Sequence, residues 1–266
     1  MSGVFERQFG ASFSLTRSQK VRGAQALLVG GLLALIEFGP KTGVVGRTTL
    51  IPLSEMLAEL QTLLVSGELT PHIVQTFSAV FGAFALAVLT GIPAGILLWK
   101  FDTLKQILDP YLLIYYAIPF FAFYPLLISI LGLGTAPIIA IAWGFSVVIM
   151  VTNTASGLAE IPEAYVLAGR DMNLSSWQML RYVYLPASVP YVFTGLKLGF
   201  VYALIGTIAS EFILAESGLG WLISYNYNNF DVEGMYAAML LVILLALATN
   251  AGLIAIENRL YQRVES

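Results

Sequence analysis

Glu211 is embedded in the apolar run Ala187–Leu214 of this 266-residue chain. An ionisable group at membrane depth faces protein or water rather than lipid and is a functional candidate by default. Two roles are open to it: a gate or cavity residue, or a hydrogen-bond partner for the Gly218–Gly220 loop that follows. Lys197, near the inner end of the same run, is expected to snorkel to the interface. Thr152, Asn153 and Thr154 place three polar side chains together, and are expected to bond neighbouring helices rather than line a path. An aromatic stretch, Tyr111, Tyr115, Tyr116, Phe120, Phe121, Phe123 and Tyr124, is broken by Pro119 and Pro125. Prolines free backbone carbonyls, which a membrane tolerates only beside protein or a wet cavity. Tyr116, Phe120, Tyr124, Asn153 and Glu211 are therefore the candidate residues of a translocation path or gate.

Bond-making chemistry has no such candidates. There is no cysteine, which removes disulfides, thiolate metal sites and a cysteine nucleophile. His72 is the sole histidine, too few for a histidine-rich metal centre. The chain has no His-Glu-x-x-His, no Gly-x-Ser-x-Gly and no pair of intramembrane aspartates, so an intramembrane enzyme would lack nucleophile and base. It also has no Gly-x-x-x-x-Gly-Lys-Ser/Thr run to cradle nucleotide phosphates. No catalytic residue, metal site or cofactor is expected in this chain.

The elements that must hold these residues follow from composition. The chain is 58% hydrophobic and 11% charged, with mean hydropathy +0.82; a soluble domain carries roughly a quarter charged residues. That leaves too little polar surface for a water-soluble globule and points to an all-α integral membrane protein. A net charge of −3 gives no basic field for nucleic acid. A crossing helix needs about 20 apolar residues. Six runs qualify: Gly23–Phe38, Ile73–Leu98, Pro110–Leu131, Ala136–Gly157, Ala187–Leu214 and Met235–Ile256. The first lacks a small-x-small cleavage site and is expected to be a retained anchor, not a secretory signal. With the N-terminus inside, eleven Lys and Arg fall in inner segments against two, Lys41 and Arg47, outside. Such an excess of cytoplasmic basic residues sets orientation, so both termini are expected inside.

Two segments do not fit six plain rods. Pro52–Val65, on the outer side, places Leu53, Met56, Leu57, Leu60 and Leu64 at helical spacing, as an interfacial strap or a contact for an outer partner. The inner segment Leu158–Pro186 is far longer than a turn requires. Pro162 suits a helix start and Glu163 complements its dipole, predicting a helix over Glu163–Met172. Asn173 can end it in the left-handed conformation. Ser175 or Ser176 can cap a second helix from Trp177 to about Tyr184, closed by Pro186. Gly91-x-x-x-Gly95 and Gly195-x-x-x-Gly199 allow close helix approach, and Pro93 is expected to bend the second span.

This hairpin resembles the cytoplasmic coupling element of permease subunits in binding-protein-dependent ABC importers of type I. Anchored on Trp177-Gln178 and Leu185-Pro186, the family's Glu-Ala-Ala positions fall on Leu167, Ala168 and Gly169, and its glycine on Asn173. Pro162 lies five residues before the first position, as in the nitrate/sulfonate/taurine branch. Leu167 replaces the glutamate of the pattern, removing one carboxylate that could pair with an ATPase; Glu163 or Asp171 stands near enough to substitute. Ser210-Glu211-Phe212, Ser217–Ile223 and the stretch from Phe230-Asp231 to Arg263 are similar to the same branch, as is Gly67-Glu68-Leu69.

The resemblance implies a six-span permease in the bacterial inner membrane, multi-pass, surrounded by lipid and paired with a second copy of itself. It implies two ATPase subunits carrying ATP and Mg, and a periplasmic or lipid-anchored solute-binding protein that delivers a small solute, such as an organic anion or aromatic compound. Residues 1–22 would be a cytoplasmic segment, 23–72 the first helix with the outer amphipathic segment, 73–256 the transport core with coupling loop 158–186, and 257–266 a cytoplasmic tail. Pro162, Glu163, Leu167, Ala168, Gly169, Asp171, Asn173, Trp177, Leu185 and Pro186 would form the ATPase-coupling loop, with Gly169 keeping its seat uncrowded. The rival reading is an ATP-independent secondary transporter, although no two-fold repeat is visible.

Overall fold

The computed structural model describes residues 17–115 and 117–264, and among them the chain is helical with no strand. It divides into two compact units, 1–57 and 58–266.

In the first unit, α1 spans Arg17–Lys41, several residues beyond both ends of the expected run. The glutamate near its end is held by polar partners. Glu37 pairs with Lys41 one turn on, and its carboxylate accepts from Ser54 N–H at 2.9 Å and Ser54 Oγ at 2.8 Å. The chain passes from this unit into the next within α2, Leu53–Ser66, the amphipathic helix that its leucine spacing predicts.

In the second unit, α3 (Leu69–Lys100), α6 (Thr135–Ala159) and α9 (Leu185–Leu214) form the core, with α6 packed extensively on both of the others. Small residues set that arrangement. A Cβ on Gly91 would sit 2.6 Å from Met150 Cβ, and one on Gly95 would sit 2.7 Å from the Val151 carbonyl oxygen. From α9, Gly195 meets Asn153 and Gly199 meets Met150 and Ser146. Both Gly-x-x-x-Gly patterns therefore press on the same helix and share Met150, where a side chain would push the backbones apart. Val80 and Ala83 of α3, Ala142 of α6, and Phe200, Ala203 and Leu204 of α9 fill the centre. Pro93 lies inside α3, which continues past it.

The third expected span is not a rod. Its residues form α4 (Asp102–Tyr115), a single 3-10 turn at Phe120–Phe123, and α5 (Tyr124–Leu131), with the two parts bent by 87°. Pro119 and Pro125 explain the break: each lacks an N–H, and Pro119 forces the preceding residue out of the α region. Among the described residues, five helices are long and apolar enough to cross a membrane, and this bent pair makes a sixth crossing if taken as one span. Beyond it come α7 (Glu163–Asp171), α8 (Ser176–Met179), α10 (Leu219–Asn228) and α11 (Val232–Val264).

Candidate functional site

The hairpin 162–186 is built from local rules that its sequence states openly. Pro162, in extended conformation, opens α7, and Glu163 occupies its first turn. Asn173 ends the helix at φ 54°, with Leu174 N–H donating to the Gly169 carbonyl at 3.1 Å and Asn173 N–H to the Arg170 carbonyl at 2.8 Å. Those two bonds are a Schellman motif, for which asparagine is the usual substitute for glycine. Ser175 then caps α8: its Oγ accepts from Gln178 N–H, while the Gln178 side chain accepts from Ser175 N–H at 2.8 Å.

The second arm departs from expectation. Pro186 does not close it. After α8 the chain enters a π-helical stretch, Leu180–Tyr184, and passes directly into α9. The Leu185 N–H reaches back five residues to the Leu180 carbonyl. This wider turn accommodates a proline that has no N–H to give and needs room for its ring. The hairpin is therefore continuous with the long core helix α9.

Gly169 is buried between the arms. A Cβ there would lie 2.5 Å from Met179 Sδ and 3.1 Å from Val183 Cγ2. Its small size serves the hairpin's own packing. Met179 is buried with it, whereas Tyr165, Leu167, Met172, Trp177 and Tyr182 are exposed. Tyr165, Met172 and Tyr182 also help line an apolar groove of about 640 Å³, whose floor includes Ala168, Gly169 and Pro186. Glu163, Asp171 and Arg170 are exposed on α7. Tyr184 packs edge-on to Trp99 at the end of α3, with ring centroids 4.6 Å apart.

At the other end of α9, Glu211 is fully buried and its Oε2 accepts from Thr76 Oγ1 at 2.8 Å and from Gly220 N–H at 3.0 Å. Thr76 Oγ1 in turn accepts from Leu219 N–H at 2.8 Å. The carboxylate thus lies at the N-terminus of α10, where free N–H groups and the helix dipole favour negative charge. Gly218, at φ 110°, leaves room for it, since a Cβ there would overlap the Glu211 carboxyl. The hydrogen bond to the Gly218–Gly220 loop is present as one of the two sequence readings had it.

A family model described as the binding-protein-dependent transport system inner membrane component matches residues 87–266. The chain belongs to this family. The match starts within α3 and takes in the hairpin, α6, α9 and Glu211, while Thr76 lies before it. This permease is 33% identical over 193 residues to the riboflavin transport system permease protein of Chloroflexus aurantiacus, covering 72% of each chain. It is 26% identical to the taurine transport system permease protein of Escherichia coli, over 79% of this chain and 78% of that one. A solved structure of the MetNI methionine ABC transporter in inward-facing conformation superposes with TM-score 0.65 at 19% identity, covering 72% of this chain and 95% of the other. That likeness establishes the type I importer permease fold. Membership makes this chain a multi-pass inner-membrane transport subunit, not an enzyme, with an ATPase and a solute-binding protein as partners. It favours the importer over an ATP-independent transporter.

The remaining path candidates of the permease scatter. Tyr116 lies outside the described residues. Phe120 packs on Tyr115 at 4.5 Å and on Phe145 at 5.6 Å, against Gly144. Tyr124 is buried in the core with its hydroxyl on the Leu214 carbonyl at 2.8 Å. Thr152 and Asn153 donate to carbonyls of their own helix, Val148 and Ile149, one turn back. Thr154 Oγ1 is buried with no partner among the described residues.

Lys197 pairs with Glu257 of α11 at 2.7 Å, with the two side chains only 20% and 15% exposed. Sequence reasoning missed this pair because the partners lie 60 residues apart. It also missed Thr76 and His72, which are single polar residues in an apolar helix with no local pattern to mark them.

Proposed function

We propose that this permease, with a second copy of itself, forms the solute path of an ATP-driven importer, and that each hairpin 162–186 seats on one of two ATPase subunits that carry ATP and Mg. The observation that supports this is the hairpin's construction. Its frame is locked by the Schellman motif, the capping box and the Gly169–Met179 contact, while five large apolar side chains remain exposed on it. Exposed apolar surface on a rigid frame is what a protein partner requires. Pro162, Glu163, Leu167, Ala168, Asp171 and Trp177 belong to that seat, and Asn173, Gly169, Leu185 and Pro186 shape it. Continuity with α9 then lets motion of the ATPase pair turn the core helices directly, a two-state element coupling two sites. Phe120, Asn153 and Glu211 are the residues we propose that motion would act on to open and close the path.

The solute is a small organic anion or aromatic compound brought by an outer binding protein. Similarity to taurine and riboflavin permeases supports the class. The test is co-purification of the ATPase with the permease and solute uptake in membrane vesicles, comparing wild type with Trp177→Ala/Tyr182→Ala. The double variant should insert normally, lose the ATPase and lose uptake. Full retention of both would overturn the hairpin seat. Uptake that survives loss of the ATPase would overturn the ATP-driven reading.

A further inference from the structure

The outer segments of the 58–266 unit, residues 58–72, 132–135 and 215–234, contain Glu59, Glu68, Glu216, Asp231 and Glu233 and no lysine or arginine. An unrelieved set of carboxylates in loops that face another molecule is a field, and its sign selects the partner. Two of the five, Glu68 just before α3 and Asp231 just before α11, line a cavity of about 350 Å³ together with His72, Trp221, Tyr225 and Asn226.

One side of the cavity is a ladder of rings. His72 stacks on Trp221 at 5.3 Å with 19° between planes, and Trp221 on Tyr225 at 4.8 Å with 26°. The ladder is anchored at its foot, where His72 Nδ1 accepts from Gly218 N–H at 3.2 Å. Its far rung, Tyr225, is half exposed. Asn226 is only 7% exposed, and its side-chain amide lines the cavity with no hydrogen-bond partner among the described residues. Asp231 spends one carboxylate oxygen capping α11 through Gly234 N–H at 3.0 Å. An amide that faces the cavity is open to a ligand that supplies its partner.

We propose that this cavity is the seat of a basic side chain, arginine or lysine, presented by the solute-binding protein, and that the acidic outer face draws that protein on. This rests on the reading that an outer binding protein delivers the solute. A guanidinium fits the chemistry best: its N–H groups meet the Glu68 and Asp231 carboxylates and the Asn226 amide oxygen, while its plane lies on an aromatic face. The bilayer is the competing occupant, since Tyr227 and Phe230 stand exposed at the adjoining turn, with Phe230 at 90%. Anionic lipid headgroups are repelled by five carboxylates, and a flat membrane surface offers no protruding group for a pocket.

The test uses the full transporter in phosphatidylcholine nanodiscs and the solute-loaded binding protein of the same transport system as probe, with affinity measured across a salt series. Glu68→Gln/Asp231→Asn should weaken binding by about tenfold or more and flatten its salt dependence. Asparagine caps a helix as well as aspartate does, so the fold is kept, and unchanged basal ATPase turnover checks that. Glu216→Gln removes one carboxylate charge outside the cavity and should stay within about twofold. Equal affinity of the double variant and wild type would overturn the seat. So would tryptophan quenching by headgroup-brominated lipid that Trp221→Phe abolishes, since the ladder would then lie in the membrane interface. No binding by the wild type would overturn binding-protein delivery itself, and the seat with it.

Discussion

Thr76 Oγ1 donates to Glu211 Oε2 across 135 residues of sequence, and the same oxygen accepts the Leu219 N–H. One hydroxyl thereby joins α3, α9 and the first turn of α10. Glu211 Oε1 has no partner among the described residues, so the node has no spare donor to lose. Thr76→Val should destabilise the protein by about 1–3 kcal/mol. Paired with Glu211→Gln it should be strongly non-additive, since both changes break one network. Thermal unfolding of the two single variants and the double variant checks this. Glu211→Gln alone should also alter uptake or basal ATPase coupling, and unchanged values for both would leave the residue with a structural role alone.

Gly218→Ala should be worse than either change. The new Cβ would fall on the Glu211 carboxyl, and φ 110° is strained for any L side chain. Loss of folded protein in detergent, measured by size-exclusion yield, is the expected result.

Gly169→Leu should spread the hairpin arms, because Met179 and Val183 already fill the space. The protein should still insert, and solute uptake should fall to background. Gly169→Ala should be milder, since the nearest atom is the sulfur of a flexible methionine. Undiminished transport by the leucine variant would show that hairpin geometry does not matter.

Gly95→Val should cost more than Gly195→Val. At Gly95 the clash is with the Val151 carbonyl oxygen, which cannot move without its helix, as well as Thr154 Cβ; at Gly195 it is with the Asn153 side chain. Comparing the midpoints of thermal unfolding tests the order.

Lys197→Met and Glu257→Leu should each lower the melting temperature, and the two together should restore much of it. Removing one partner strands a charge that is mostly withdrawn from water; removing both leaves an apolar contact.

The hairpin was largely legible in one dimension. Pro162, Glu163, Asn173 and Ser175 act within a few residues of themselves, and each sits in its anticipated role. Pro186 was misread because a proline in isolation signals a stop, and only the π-helical turn before it explains why the helix continues. The partners of Lys197 and Asn153 were out of reach for a related reason, as the acceptor depends on which carboxylate or carbonyl the fold brings alongside.

By itself, the sequence determined the membrane class, the orientation, the runs that cross and the capped ends of the hairpin, because hydropathy, charge asymmetry and capping depend on neighbours along the chain. The tertiary structure decided what meets across it: α6 held between two glycine-edged helices, Glu211 set against Thr76 and the start of α10, and a ring ladder beside two carboxylates on the outer side. Most of those contacts join residues about 40 to 160 positions apart, and no local periodicity encodes a partner at that distance.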